Sequence, residues 1–385
     1  MPMTWRSILT VVSLGSLTVL AVEAGNAHAQ TTPPIIAATG AVAAPDSLTL
    51  QRANADMRRV LEKLQELGAK PIGTQSVEET RKGPTPADAV KAVLKEQGKD
   101  PAALMARMQV KKQDLTYPTA GGTQKVRIYT PQTQNPQPLP VIVYYHGGGW
   151  VIADLDTYEA SALALAKKTG AIVASVEYRH APENKFPAAH DDAFAAYLWA
   201  IKNAGSFGGD PRRIAVAGES AGGNLAANVA IMARDQNVQA PLHMLLVYPV
   251  AGSNLNTPSY QKNANAVPLN RPAMEWFVKN ALSRPEDKQD PRIDLVGQAN
   301  LQNLPPATVI TAEIDPLMSE GKMLTDKLRR AGVKASYHEY PGVTDEFLGM
   351  DAVVADAATA QDVASMALRD AFAQPAPTGN APTRR

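Results

Sequence analysis

Five short apolar runs rich in Val and Ile recur along the chain, at residues 139–145, 171–176, 214–217, 242–248 and 307–311. Such runs suit strands covered on both faces. Helical periodicity fills the intervals. Thr157 stands where it can cap a helix that Gly170 would stop, and Leu225, Val229 and Met232 fall at i, i+4 and i+7. Met323, Leu324 and Leu328 form another face ahead of Gly332, after which Ala335, Tyr337 and Glu339 begin a further strand. Strand and helix in regular alternation build a doubly wound α/β domain around a mostly parallel sheet.

Two segments stand outside that alternation. Residues 48–109 hold two or three amphipathic helical stretches with no strand signal, and residues 253–285 form a long polar insertion containing a helix-like stretch at 272–282. Both are expected to cover the C-terminal edge of the sheet as a cap. The first thirty residues read as an address label. Arg6 supplies the positive end, and the apolar stretch 8–22 is shorter than the roughly 20 residues of a spanning helix. Ala27-His28-Ala29 then gives an A-x-A cleavage pattern. The expected layout is a signal peptide over 1–29, an N-terminal region and helical cap over 30–110, an α/β catalytic domain over 111–373 and a loose tail over 374–385. A periplasmic or secreted protein follows, with no stable membrane insertion after cleavage.

Lys and Arg total 38 against 37 Asp and Glu, which removes the electrostatic reason to expect nucleic acid or an anionic membrane as partner. A small neutral ligand fits better. The chain has no cysteine, so a disulfide framework, a thiolate zinc site and a cysteine nucleophile are all excluded.

Gly218-Glu219-Ser220-Ala221-Gly222 is a G-x-S-x-G directly after the run 214–217 and directly before a helical face. A nucleophile elbow requires that context, because small residues two before and two after the serine let the chain turn sharply and raise the hydroxyl above the sheet. Ser220 is the candidate nucleophile and the Ala221 amide a candidate oxyanion donor. The alternative, a Gly-rich turn that binds phosphate, lacks the lysine of a P-loop. His146-Gly147-Gly148-Gly149-Trp150 follows the run 139–145. Its glycines leave amides unobstructed, so Gly147 and Gly148 are the expected partners of Ala221 in the oxyanion hole. His146 is expected to brace that loop, and Trp150 and Glu219 to line the substrate pocket.

These motifs resemble those of the hormone-sensitive lipase family of bacterial carboxylesterases, an α/β-hydrolase group with HGGG ahead of a GDSAGG-like elbow, here GESAGG. Glu177-Tyr178-Arg179-His180-Ala181-Pro182-Glu183 is similar to the family's DYRLAPE, and Phe186-Pro187-Ala188 and Tyr248-Pro249 match too. The resemblance implies an α/β-hydrolase fold of about eight strands with a helical cap, and activity on short-chain carboxylic esters. It also implies that the triad acid is Asp315, in the turn Asp315-Pro316-Leu317 after the run 307–311. No cofactor or metal is expected, and a homodimer is left open.

The same family places its catalytic histidine in a Y-x-G-x-x-H-x-F pattern after the last strand. This chain reads Tyr340-Pro341-Gly342-Val343-Thr344-Asp345-Glu346-Phe347, so Asp345 holds the base position. His180, His190, His243 and His338 all lie elsewhere along the chain and are expected to be structural or exposed. A freely solvated aspartate titrates at about pH 3.9, and this one would face Asp315 as a like charge, which raises one apparent pKa and leaves at most a weak base. Three functions fit: a carboxylesterase with altered or low activity, a non-catalytic small-ligand-binding protein on the same scaffold, and a changed reaction that uses Asp345 itself.

Overall fold

The computed structural model describes residues 47–134 and 138–374. The expected leader and nearly all of the expected tail lie outside the described residues. Five helices come first: α1 (Ser47–Arg52), α2 (Ala55–Glu66), α3 (Val77–Lys82), α4 (Pro86–Glu96) and α5 (Pro101–Arg107). Asn54 caps α2 by accepting from the Met57 amide at 2.8 Å, and Met57, Val60, Leu61 and Leu64 form its buried stripe. Ser76 and Thr85 start α3 and α4 with capping boxes completed by Glu79 and Asp88.

A hairpin follows, β1 (Val110–Thr119) and β2 (Gly122–Pro131), and then the alternating core: β3 (Leu139–Tyr145), α6 (Glu159–Thr169), β4 (Ile172–Val176), α7 (Ala188–Asn203), β5 (Gly209–Glu219), α8 (Ala221–Asp235) and β6 (Met244–Val247). The insertion carries α9 (Pro258–Lys262) and α10 (Arg271–Ala281). The chain closes with β7 (Ala307–Ile314), α11 (Met318–Arg330), β8 (Ala335–Thr344) and α12 (Ala355–Ala373). No helix among the described residues is long and apolar enough to cross a membrane.

The strands form one sheet in the order β1-β2-β4-β3-β5-β6-β7-β8, antiparallel at β1/β2 and β2/β4 and parallel elsewhere. Each central strand feeds both faces: Val141, Val143 and Tyr145 pack into one core, Ile142 and Tyr144 into the other. That two-sided burial is why the strands read as unbroken apolar runs. The β1/β2 hairpin escaped that reading because its outer strand exposes Lys111, Lys112, Gln113 and Asp114, as suits the edge of a sheet. One cap also moves. Thr157 bonds the Asp154 carboxylate through its amide at 2.8 Å and its hydroxyl at 2.7 Å, so α6 starts one residue later than a Thr157 cap would set it, with Tyr158 at its N-cap. Gly170 ends that helix at φ 67°, as expected.

The parallel register sets up the site. Tyr145 pairs with Gly218, Glu219 with Val247, Val247 with Ile310, and Ile314 with Thr344. The residues that follow these pairs, among them His146, Ser220, Asp315 and Asp345, leave neighbouring strands at one edge, the C-terminal edge where ligands bind in open α/β sheets.

Candidate active site

Ser220 is held at φ 55°, ψ −117° between β5 and α8. That conformation is uncommon for a residue with a side chain and is kept by its surroundings. The Ser220 amide donates to Val247 O at 2.9 Å, and its carbonyl accepts from Val250 N at 3.1 Å. Close packing seals the turn: a Cβ on Gly222 would lie 2.0 Å from Tyr145 O and 2.4 Å from His146 O. The elbow and the end of β3 therefore touch through backbone.

The loop after β3 turns through Gly148 at φ 94°, where the carbonyl accepts from Val151 N at 3.0 Å and Ile152 N at 2.9 Å. The amides of Gly147, Gly148 and Ala221 donate to no backbone carbonyl among the described residues. His146 is fully buried, with Nδ1 2.9 Å from Gly147 O and its ring stacked on Tyr178 at 4.4 Å. The Tyr178 hydroxyl reaches His146 O at 2.9 Å and Gly147 O at 3.1 Å. The ring of Phe277, on α10, lies against Gly149.

Glu219 is 1 % exposed, and its carboxylate accepts from the Tyr144 hydroxyl at 2.5 Å and from the Tyr248 hydroxyl. Burial raises its pKa, against the pull of those hydroxyls. It lines a cavity of about 330 Å³ together with Val90 and Leu94 of α4, Leu104 and Met105 of α5, Tyr158 and Glu346. Trp150 does not line that cavity. Its backbone takes φ 62° and the side chain packs inward, with the indole 5.7 Å from the His190 ring.

Across the edge, Asp315 is fully buried. Its Oδ1 accepts from Leu317 N at 2.8 Å, while Oδ2 has no hydrogen-bond partner in the protein. Asp345 is 5 % exposed, and its Oδ1 is likewise unpartnered. Burial raises the pKa of both; for Asp345 the charges of Asp315, Glu346 and Glu219 add to it. Glu346 sits at φ 68°, accepts from the Tyr158 hydroxyl at 3.0 Å and is pushed up to about 7 by burial. Glu320, on α11, accepts from the Ala251 and Gly252 amides at 2.8 Å each, and burial pushes it up to about 8.

No histidine among the described residues stands in for the base. His190 Nε2 lies 2.9 Å from Asn224 Oδ1, and His243 Nε2 lies 3.0 Å from Thr308 Oγ1. Burial pushes His180, His190 and His243 down to about 4. His338, on β8, pairs with Ile310 of β7, well before the strand end. Sequence reasoning missed the buried carboxyls Glu346 and Glu320 and the tyrosine bracket on Glu219. Of these, only Tyr248 carried a signal, through the Tyr248-Pro249 match.

The family described as alpha/beta hydrolase fold matches residues 142–349. The chain belongs to this family. Carboxylesterase NlhH of Mycobacterium tuberculosis is 39% identical over 278 residues, 71% of this chain and 86% of that protein. Ethyl acetate hydrolase of Pseudomonas putida is 35% identical over 247 residues, 63% of this chain and 78% of that protein. Among solved structures, a hyperthermophilic esterase from Pyrobaculum calidifontis superimposes with TM-score 0.73 at 33% identity, covering 84% of this chain and 100% of that one. The expected hydrolase fold and the resemblance to hormone-sensitive-lipase-type esterases both hold.

Proposed function

We propose that this hydrolase is an exported serine carboxylesterase for short-chain esters, in which Ser220 is the nucleophile, Gly147, Gly148 and Ala221 bind the oxyanion, and Asp345 replaces the usual base. One observation carries the reading: Ser220 is held in a strained turn directly against a loop in which the Gly147 and Gly148 amides donate to no backbone carbonyl among the described residues. Folding strain of about 1–3 kcal/mol is retained at functional positions such as this. The relatives named as carboxylesterase and ethyl acetate hydrolase support the substrate class. The helices α4 and α5 that wall the cavity beside Glu219 support the cap over residues 30–110. Export rests on the leader pattern in the sequence.

In the reaction, Ser220 Oγ attacks the ester carbonyl carbon and its proton passes to the Asp345 carboxylate. The oxyanion is held by the three amides, and the proton returns to the departing alkoxide. Water then cleaves the acyl-enzyme by the same route. Asp345 is a poor agent for this. It lacks the two separated nitrogens with which histidine touches serine and aspartate together. Loss of the histidine costs on the order of a million-fold in turnover, with about a thousand-fold over water left to the oxyanion hole and binding. The unpartnered Asp315 Oδ2 is an acceptor that a ring N–H at position 345 could use.

The missing histidine favours one other reading, a small-ligand-binding protein on the same scaffold. Hydrolysis of p-nitrophenyl acetate and butyrate by Asp345→His separates the two. Large recovery that disappears with Ser220→Ala supports the esterase; no recovery in a folded variant supports the binding protein.

A further inference from the structure

Behind the oxyanion loop, on the side away from Asp315, three side chains with metal-ligand chemistry converge. His146 leaves the end of β3, and Glu177 and His180 lie just beyond the end of β4. His146 Nε2 is 3.4 Å from Glu177 Oε1, and His180 Nε2 is 3.3 Å from the same oxygen. One ligand atom from each of the three residues lies within 4.8 Å of the others. Both ring nitrogens are buried, and neither makes a hydrogen bond.

Those spacings are longer than a short charge-assisted hydrogen bond and leave room for a coordinated ion. A charge-assisted N–H···O bond to a carboxylate runs to about 2.7–2.9 Å. Two ligands held at 2.0–2.1 Å from one tetrahedral ion stand about 3.3–3.4 Å apart. Both His–Glu separations fall on the second value. The outer shell fits too. His146 Nδ1 lies 2.9 Å from Gly147 O, so a proton on Nδ1 is held by a carbonyl and Nε2 presents its lone pair to the cluster.

We propose that His146, Glu177 and His180 form a binding site for one divalent cation of the zinc type, through two imidazole nitrogens and one carboxylate oxygen. The two-nitrogen, one-oxygen set suits Zn²⁺ and Co²⁺ better than Mg²⁺ or Ca²⁺, which prefer all-oxygen shells. Its charge surroundings are mixed. Asp154 lies within electrostatic range of both rings and favours a cation. Arg81 opposes one, but its guanidinium is spent on both Glu183 oxygens at 2.8 Å and on the Val151 and Ala181 carbonyls. The ion would staple the loop after β3 to the loop after β4, one residue from Gly147. The site is independent of which reaction Ser220 performs.

Titration of the tag-free, chelator-treated chain with ZnCl₂ by calorimetry, and with CoCl₂ by visible absorption, tests it. The expected result is one Zn²⁺ per chain in the micromolar range or tighter, a raised Tm, and the intense visible bands of low-coordinate Co²⁺. His180→Gln and Glu177→Gln should each weaken Zn²⁺ binding at least about ten-fold, while His338→Gln leaves it unchanged. A folded wild-type chain with no Zn²⁺ heat and no Tm shift overturns the site. Binding that survives both ligand variants, or is lost in His338→Gln, overturns it as well. The cobalt spectrum of the unaltered chain decides the matter even where a variant fails to fold, and weak octahedral bands count against it.

Discussion

The two halves of the catalytic edge are built to opposite standards. Around Ser220 the backbone is strained, but its carbonyl, its amide and the Glu219 carboxylate all have partners. Around Asp315 and Asp345, each carboxyl keeps a buried oxygen without a partner. A hydrogen-bonded elbow that holds an awkward conformation spends stability on geometry. The unpartnered oxygens Asp315 Oδ2 and Asp345 Oδ1 cost stability, while Asp315 Oδ1 still holds its turn through Leu317 N. On the proposed reading, the half assigned to binding the oxyanion has a hydrogen-bonded elbow, while the half assigned to moving protons carries Asp345 where the family has histidine.

Labelling of Ser220 by an organophosphate probes both halves at once and should show the largest effect. Asp345→His supplies a proton acceptor beside Asp315, so labelling should accelerate by about a thousand-fold or more, equivalent to about 4 kcal/mol of barrier. Mass spectrometry of the phosphorylated peptide gives the rate. Equal rates in both forms would mean that another group already activates the serine, and the contrast between the halves would collapse.

The elbow half should break next most sharply. Gly222→Ala puts a methyl 2.0 Å from Tyr145 O, a backbone atom with no freedom to retreat. A loss of about 3 kcal/mol or more is expected in chemical denaturation, together with loss of activity in the Asp345→His background. A stable, active Gly222→Ala would show that β3 and the elbow can separate.

What could be read from sequence follows the same division. The elbow and the oxyanion loop are contiguous, so Gly218 to Gly222 and His146 to Trp150 announce themselves within five residues each. The acid half is assembled from distant segments. That Asp345 meets Asp315 depends on the pairing of Ile314 with Thr344, and the burial of Glu346 depends on Tyr158 and α4, none of it visible as local pattern. The packing of Trp150 is likewise non-local: the buried indole lies 5.7 Å from the His190 ring, forty residues along the chain. The β1/β2 hairpin is silent in the sequence because a solvated edge does not need the apolar runs that mark the centre.

Burial of the carboxyls makes stability depend on pH in the sense opposite to an ordinary salt-bridged acid. Asp315, Asp345, Glu346 and Glu320 all have folded pKa values above their unfolded values of about 4. The folded state therefore holds more protons, and their contribution, fully present below about pH 4, is lost as pH rises through the folded values. For Glu346 and Glu320 those values are about 7 and about 8. Between pH 5 and 8 the Tm should fall. Asp345→Asn removes one such group and should be more stable relative to the parent at pH 8 than it is near pH 4. Parallel pH profiles for the two proteins would show that Asp345 ionises as freely as an exposed acid.

The smallest effect concerns how the N-terminal helices are tied to the acid half. Asn54 does three things at one position. Its side-chain oxygen caps α2 at Met57 N, its amide nitrogen donates to Asp356 at 2.7 Å, and its backbone N–H donates to Gly342 O at 2.9 Å. Gly342 lies in the irregular stretch of β8 three residues before Asp345, and Thr344 reaches Met57 Sδ at 3.7 Å. Asn54→Ala deletes the cap and the link to α12 but keeps the backbone bond, so about 1 kcal/mol of stability should be lost. In the Asp345→His background, the change should slow ester hydrolysis more than it slows binding of an ester analogue, because the loop carrying residue 345 is loosened while Ser220 and the oxyanion loop are not. Equal losses in turnover and in binding would mean that the N-terminal helices brace both halves alike, and the division drawn between them would stop at the sheet.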